Sequence, residues 1–226
     1  MSMPMYVPPE QLMKDRAEFA KKGIALGRPI VVLEYADGVL LMGENPSGSL
    51  QKIGEIYDEI AFAGVGRFNE FESLRVAGIR YADLKGYSYG RSDVTAKGLA
   101  NAYAQTLGQV FTHEVKPYEI EVIVAEIGRE PDDNQIYRIQ YDGTLIDLQR
   151  FGVIGGDEED LTSRLEGDFV DGMDLASALR LGCSAIEAIA GDPIGPDGWE
   201  AAVLDRANGR RKFRRVDKDT IAAARA

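Results

Sequence analysis

The sequence predicts an α+β fold, a four-layer α-β-β-α sandwich with an extra helix at the N-terminus. Apolar patterns follow one another as helix, four strands, two helices, strands, two helices and strands, which is neither βαβ alternation nor an all-β order. The predicted strands are also apolar on both faces, as in 30–35 and 39–42, so each sheet must be covered on both sides. Two stacked sheets with helices outside them satisfy both conditions.

The chain of 226 residues is long enough for one domain with a substantial core. We expect residues 1–8, which are small, apolar and proline-bearing, to form a flexible tail, and residues 9–226 to form a single domain. Pro9 suits the first turn of a helix over 9–22. Lys21-Lys22-Gly23 then supplies two cations and a glycine where that helix would end.

Four strands and two helices follow this first helix. Asp37-Gly38 lies between two apolar runs and is a strong hairpin signal. A connector rich in glycine and tyrosine covers 83–92, and Ser92 or Asp93 could cap the helix after it. The elements predicted in this half are strands over 30–35, 39–42, 51–56 and 59–65, and helices over 67–81 and from 94 to about 112.

The second half of the chain repeats this order. Asp142-Gly143 is a further turn signal, and the acidic run 157–160 places negative charge at the start of a helix, where it complements the helix dipole. The elements predicted here are strands over 118–127, 135–141 and 145–153, helices from 157 and over 174–190, strands over 199–205 and 212–216, and a short helix over 219–225.

The composition argues against several classes of function. A net charge of -11 disfavours a general nucleic-acid-binding protein, and we interpret the basic cluster 210–215 as a solvated or subunit-facing strand, with an RNA-binding patch as the alternative. No apolar run reaches the roughly 20 residues that cross a bilayer, and the N-terminus lacks a signal-peptide pattern. Cys183 is the only cysteine, which fits the reducing cytoplasm. His113 is the only histidine, so a zinc site built on several His and Cys is out of reach. We predict no metal site, and we also expect no cofactor.

Several short motifs follow one another in a fixed order. They are the helix over 9–23 that runs into Ile24-Ala25-Leu26-Gly27, the hairpin over 35–41, the segment 45–53 with Lys52, the helix over 66–78, and Lys116-Pro117-Tyr118-Glu119 before a strand. None of these motifs is specific by itself. Their order and spacing over about 200 residues resemble the α subunits of bacterial proteasomes, specifically the actinobacterial type.

The resemblance implies the sandwich fold of N-terminal-nucleophile hydrolases and rings of seven α subunits that cap rings of catalytic β subunits. In those β subunits an N-terminal threonine is the nucleophile and its own amine is the base. The resemblance places Gly23 at the threonine position, Glu44 near the acidic residue and Lys52 near the catalytic lysine. Glycine has no oxygen to attack with, so we expect no catalytic residue in this chain.

The resemblance also implies a gate and a docking site. Lys52 would bind the C-terminal carboxylate of a ring-shaped ATPase activator, in a pocket between subunits whose wall includes Gly66. Protein substrates would pass the gate, and the actinobacterial type suggests pupylated proteins among them. The residues that would gate the pore, together with those of the other subunits, are Met5, Tyr6, Val7, Pro8 and Pro9.

Two other functions stay open. The chain could be a hydrolase of the same fold with an unrecognised nucleophile, or a stand-alone binding module. Among other nucleophiles, Cys183 lies in an apolar helix and is more typical of a buried thiol, and His113 is more typical of a surface residue. Gly86-Tyr87-Ser88-Tyr89-Gly90 matches Gly-x-Ser-x-Gly but lies between two helices instead of a strand and a helix. The roles of Asp15 and Arg16, which depart from the archaeal and eukaryotic pattern, also stay open.

Overall fold

The computed structural model describes residues 8–225, so the predicted gate residues Met5, Tyr6 and Val7 lie outside the described part of the chain. The helices are α1 Pro9–Ala25, α2 Phe68–Ser88, α3 Ala96–His113, α4 Glu158–Asp168, α5 Leu175–Ala190 and α6 Lys218–Arg225. The strands are β1 Ile30–Tyr35, β2 Gly38–Glu44, β3 Ile53–Tyr57, β4 Ile60–Gly66, β5 Ile120–Glu126, β6 Gln135–Ile139, β7 Leu145–Leu148, β8 Phe151–Ile154, β9 Trp199–Asp205 and β10 Phe213–Arg215. No helix within 8–225 is both long and apolar enough to cross a membrane.

The strands form two antiparallel sheets. The first sheet has the order β10-β9-β2-β1-β8 and the second the order β3-β4-β5-β6-β7. Apolar side chains such as Val32 and Ile123 fill the space between the sheets. Helices α2 and α3 cover the outer face of the second sheet, and α4, α5 and α6 cover that of the first. The predicted four-layer sandwich with an extra N-terminal helix is therefore confirmed.

Three local predictions differ from the structure. Helix α2 continues to Ser88, through most of the predicted connector 83–92, and its Gly86 packs closely against the ring of Tyr57. The cap of α3 is neither Ser92 nor Asp93 but Thr95, whose hydroxyl accepts a hydrogen bond from Gly98 N at 3.2 Å. The predicted strand 145–153 is broken near Arg150, which has a left-handed φ of 72°. Its two halves, β7 and β8, belong to different sheets.

The basic cluster closes one side of the sandwich. Strand β10 is the edge of the first sheet, and arginines in and just before it bind groups on β3, the edge of the second sheet. Arg211 pairs with Glu55, and Arg215 donates to Ile53 O at 2.9 Å. Arg210 lies 3.5 Å from Asp58, in the turn between β3 and β4. The cluster is thus largely occupied by intramolecular pairs, which favours neither an RNA-binding patch nor a freely solvated strand.

An ion triad ties the second sheet to α4. Arg138 on β6 donates through one terminal nitrogen to both carboxylate oxygens of Glu121 on β5, each at 3.0 Å. The same guanidinium binds the carboxylate of Glu158, the first residue of α4, with one contact of 2.6 Å. Arg138 and Glu121 are 7% and 5% exposed, so the charges of this pair depend on each other more than on water.

Candidate functional site

Helix α1 lies across the end of the sandwich. Pro8 precedes its first turn with φ -57° and ψ 141°, and Pro9 occupies the first helical position, where a missing N–H costs nothing. Arg16 donates to Glu114 O at 2.5 Å and to Val110 O at 3.2 Å, at the C-terminal end of α3. A cation there satisfies terminal carbonyls and complements the helix dipole. Arg16 therefore fastens α1 to α3.

Asp15, the other residue whose role the sequence left open, accepts a hydrogen bond from Gln11 within α1 at 2.7 Å and is exposed. On the inner side of the helix, Ala20 and Ile24 pack against Tyr141. Asp15 therefore belongs to the outer surface of α1, and contact with the body of the protein is made by the opposite side.

The structure places Gly23 inside α1, which runs on to Ala25 instead of ending at Lys22. A side chain at Gly23 would have no room, because its Cβ would lie 2.8 Å from the Cβ of Glu119 and closer still to the carboxylate. Real Cβ atoms do not approach so closely. The glycine lets α1 lie directly against the start of β5.

Lys52 lies just before β3, half-buried. Its ammonium donates to Arg28 O at 3.2 Å and to Glu44 O at 3.3 Å, both on the segment around β1 and β2. The carboxylate of Glu44 is paired with Arg28 instead, and within residues 8–225 no carboxylate lies at ion-pair distance from the Lys52 ammonium. Burial lowers the pKa of Lys52, and the nearby Glu200 only partly opposes this shift. Lys52 thus presents a positive charge that two neutral carbonyls hold in position.

Glu200 is a buried residue of this site that sequence reasoning missed. It accepts hydrogen bonds from Asn45 Nδ2 at 2.6 Å and from the backbone N–H groups of Lys52 and Ile53, each at 3.0 Å. Arg215 adds a fourth bond at 3.2 Å. Glu200 therefore fixes the backbone that carries Lys52. A carboxylate in the otherwise apolar run 199–204 was the signal that could have identified it.

Gly66 is the last residue of β4 and lies beside the turn that joins α1 to β1. It has a φ of 107°, and an added Cβ would lie 2.9 Å from the carbonyl carbon of Glu119. The backbone conformation alone therefore explains why glycine stands here. Gly27, in that turn, lies close to Gly66, since an added Cβ on Gly27 would be 3.2 Å from Gly66 N. Lys52 is tied to the same strand, because its backbone carbonyl accepts a hydrogen bond from Gly64 N at 3.0 Å. Lys52, Glu44 and Gly66 thus surround the turn that joins α1 to β1.

The other nucleophile candidates lie elsewhere. Cys183 is buried in α5, and burial raises the pKa of its thiol to about 12, which disfavours the reactive thiolate. Ser88 is the last residue of α2, so the Gly-x-Ser-x-Gly match does not form a turn between a strand and a helix. His113 ends α3 on the surface, with its Nδ1 2.7 Å from Thr112 Oγ1. None of these side chains lies beside Lys52.

Comparison with known proteins agrees with this fold. The family model described as proteasome subunit matches residues 24–204. A protein named proteasome subunit alpha from Kineococcus radiotolerans is 55% identical, and the alignment covers 98% of this chain and 97% of the relative. Relatives of the same name from Xylanimonas cellulosilytica and Thermomonospora curvata are 56% and 54% identical, over 96% and 98% of this chain and 93% and 96% of their own lengths. The resemblance found in the sequence is confirmed: the chain belongs to the proteasome subunit family, and to its α type.

Proposed function

We propose that this chain forms the non-catalytic outer ring of a bacterial proteasome core particle in the cytoplasm. Seven copies would make a ring that caps the catalytic β subunits and controls the passage of protein substrates, including pupylated ones. The observation that carries the proposal is α1, a continuous helix of 17 residues in front of β1. In a catalytic subunit that position would have to offer a free terminal amine.

The geometry around Gly23 supports an inert subunit. Residue 23 has no hydroxyl or thiol, its nitrogen is part of a peptide bond within α1, and Glu119 fills the space beside it. The carboxylate of Glu44 is engaged by Arg28, and neither it nor Lys52 has a nucleophilic oxygen or sulfur at residue 23 to assist. Peptide hydrolysis would belong to the partner β subunit.

Assembly with a β subunit tests this proposal. We expect the chain alone to show no peptidase activity, and the mixture with its β partner to elute as a large particle that cleaves small peptides. The measurement is size-exclusion chromatography with a peptidase assay on each fraction. Activity of this chain alone would favour the hydrolase alternative, and a chain that stays monomeric in the mixture would favour the binding module.

The second part of the proposal is a gate formed by the residues that precede α1. The proline pair supports it, because Pro8 and Pro9 restrict the direction in which the chain leaves the helix. Arg16 and the contact of Gly23 with Glu119 hold the helix itself. The preceding residues would therefore leave each subunit in one direction, toward a common axis.

Deleting residues 2–8 is expected to accelerate degradation of an unfolded protein by the assembled particle severalfold, because the obstruction at the pore is removed. The measurement compares casein degradation by particles with full-length and shortened chains. Cleavage of a short fluorogenic peptide by the same particles is the control and should change much less. Equal casein rates would mean that these residues do not obstruct the pore.

The third part is activator docking at Lys52. The Lys52 ammonium is half-buried and has no carboxylate partner in the described structure, so it is suited to bind a terminal carboxylate. Burial has already removed part of its water, and an incoming carboxylate would supply the missing opposite charge. Glu200 keeps the backbone of Lys52 in place, and Gly66 leaves the neighbouring surface without a side chain. These contacts support the pocket as the docking site of a ring-shaped ATPase.

A further inference from the structure

One residue, Glu119, contacts both glycines that the sequence singled out. Its carboxylate lies against Gly23 in α1, and its backbone carbonyl lies against Gly66 at the end of β4. The same carbonyl accepts from Arg67 N at 3.1 Å. Glu119 therefore stands between the helix that carries the proposed gate and the strand end that borders the proposed activator pocket.

The carboxylate of Glu119 is buried but held by two cations. Arg67 donates through Nε to Oε1 at 2.8 Å, and the Lys116 ammonium lies 2.9 Å from the same oxygen. Glu119 is 6% exposed, whereas the Arg67 side chain is 56% exposed and reaches toward solvent. A buried carboxylate without such partners would be strongly disfavoured, so its position follows that of Arg67 and Lys116.

Helix α1 touches this group at a second place. The Lys116 ammonium lies 5.8 Å from the centre of the Phe19 ring, one turn before Gly23. Glu70 in α2 binds Lys116 at 2.6 Å and also accepts from Glu119 N at 2.8 Å. The two contacts fix the second half of α1 to charged groups, while Arg16 fixes its first half to backbone carbonyls.

We propose that Glu119, held by Arg67, is a positioning residue that sets the resting orientation of α1 and links it to the end of β4. The inference rests on the proposed gating function. A shift of Gly66 or Arg67 would move the Glu119 carboxylate, against which α1 packs. Because residue 23 is a glycine, the carboxylate contacts the backbone of α1 directly, and its movement would displace the helix. Coupling between the proposed activator pocket and the proposed gate requires that both sites act on the position of one element, here α1.

The test uses Glu119→Gln and Arg67→Met in particles assembled with the β partner. Glu119→Gln keeps the shape against Gly23 but removes the charge that binds Arg67. We expect each variant to accelerate casein degradation by roughly three- to tenfold, as a loosened resting state would. The double variant should be no faster than either single one, because both remove the same pair. Glu72→Gln, which removes the Glu72–Arg75 pair on α2, is the matched control and should leave the rate unchanged.

A second set of particles separates gating from general loosening. In chains that lack residues 2–8, Glu119→Gln should add nothing further, because the obstruction that it repositions is gone. An equal acceleration with and without those residues would overturn the inference. The inference would also be overturned if Glu119→Gln left casein degradation by full-length chains unchanged while deletion of residues 2–8 accelerated it. If the deletion has no effect either, the proposed gate fails, and this inference with it.

Discussion

Replacing Arg138 with alanine is expected to lower the free energy of unfolding by about 3–5 kcal/mol, because Glu121 is then left buried without a partner. Glu121 is 5% exposed, and both of its oxygens depend on the Arg138 guanidinium. The measurement is urea unfolding of the chain followed by circular dichroism. Arg150→Ala is the matched control, since its pair with Asp171 is exposed on both sides and should contribute less than about 1 kcal/mol.

The pH dependence of this variant provides an independent check. Burial raises the pKa of Glu121, and Arg138 is what opposes the shift, so removing Arg138 raises the pKa further. A carboxyl whose pKa is higher in the folded state binds more protons there, and stability then increases as the pH falls through that pKa. The deficit of Arg138→Ala relative to the parent chain should therefore shrink as the pH is lowered from 7 toward about 4.3, the ordinary pKa of glutamate.

Combining Arg138→Met with Glu121→Leu should recover much of the lost stability. An apolar pair of similar volume no longer carries a buried charge, and Glu158 at the start of α4 is partly exposed and can be solvated. If the double variant is as unstable as Arg138→Ala, the destabilisation arises from lost packing and not from the unpaired carboxylate.

Lys52→Ala is expected to weaken the response of the assembled particle to its activator by roughly ten- to a hundredfold, the range for loss of a charge-assisted hydrogen bond. The measurement is casein degradation against activator concentration. Assembly and cleavage of small peptides without activator should be unaltered, because Glu200 still holds the backbone of Ile53. Lys97→Ala, an exposed lysine at the start of α3, is the control.

The response of the particle to activator should also fall as the pH rises. This loss should begin at a lower pH than it would for an ordinary lysine, whose pKa is about 10.4. Burial lowers the pKa of Lys52, so its ammonium loses the proton earlier and the attraction for a carboxylate is lost with it. A response to activator that Lys52→Ala leaves intact would place the docking site elsewhere on the ring.

Most of the fold could be predicted from local patterns, and the differences have long-range causes. The paired strands 30–35 and 39–42 were recognisable because Asp37-Gly38 separates two apolar runs. The break at Arg150 was not, because an apolar run does not reveal that its two halves belong to different sheets. Likewise, the glycine and tyrosine residues around the end of α2 suggested a connector, and the local pattern does not reveal that Gly86 packs against Tyr57, a residue of β3.

The candidate site was predicted in part. Lys52 and Glu44 were placed near each other by resemblance, and the structure joins them through a backbone carbonyl, not through their charges. The contacts of Glu200 and Glu119 could not be predicted, since each meets residues far away in the sequence. Arg16 was noticed only as a departure from a related pattern, because its partners at 110 and 114 are known only once α1 and α3 are placed together.

The course of α1 through Gly23 limits what mutagenesis could achieve. A Gly23→Thr chain would gain a hydroxyl, but residue 23 would still be joined through Lys22 to an ordered helix and would have no free α-amine. Its new side chain would also collide with Glu119. A peptidase site at this position would require removal of α1 and a new surface around Glu119. That change would also remove the helix that carries the proposed gate. We therefore expect that no substitution at residue 23 alone would give this chain the activity of a threonine peptidase.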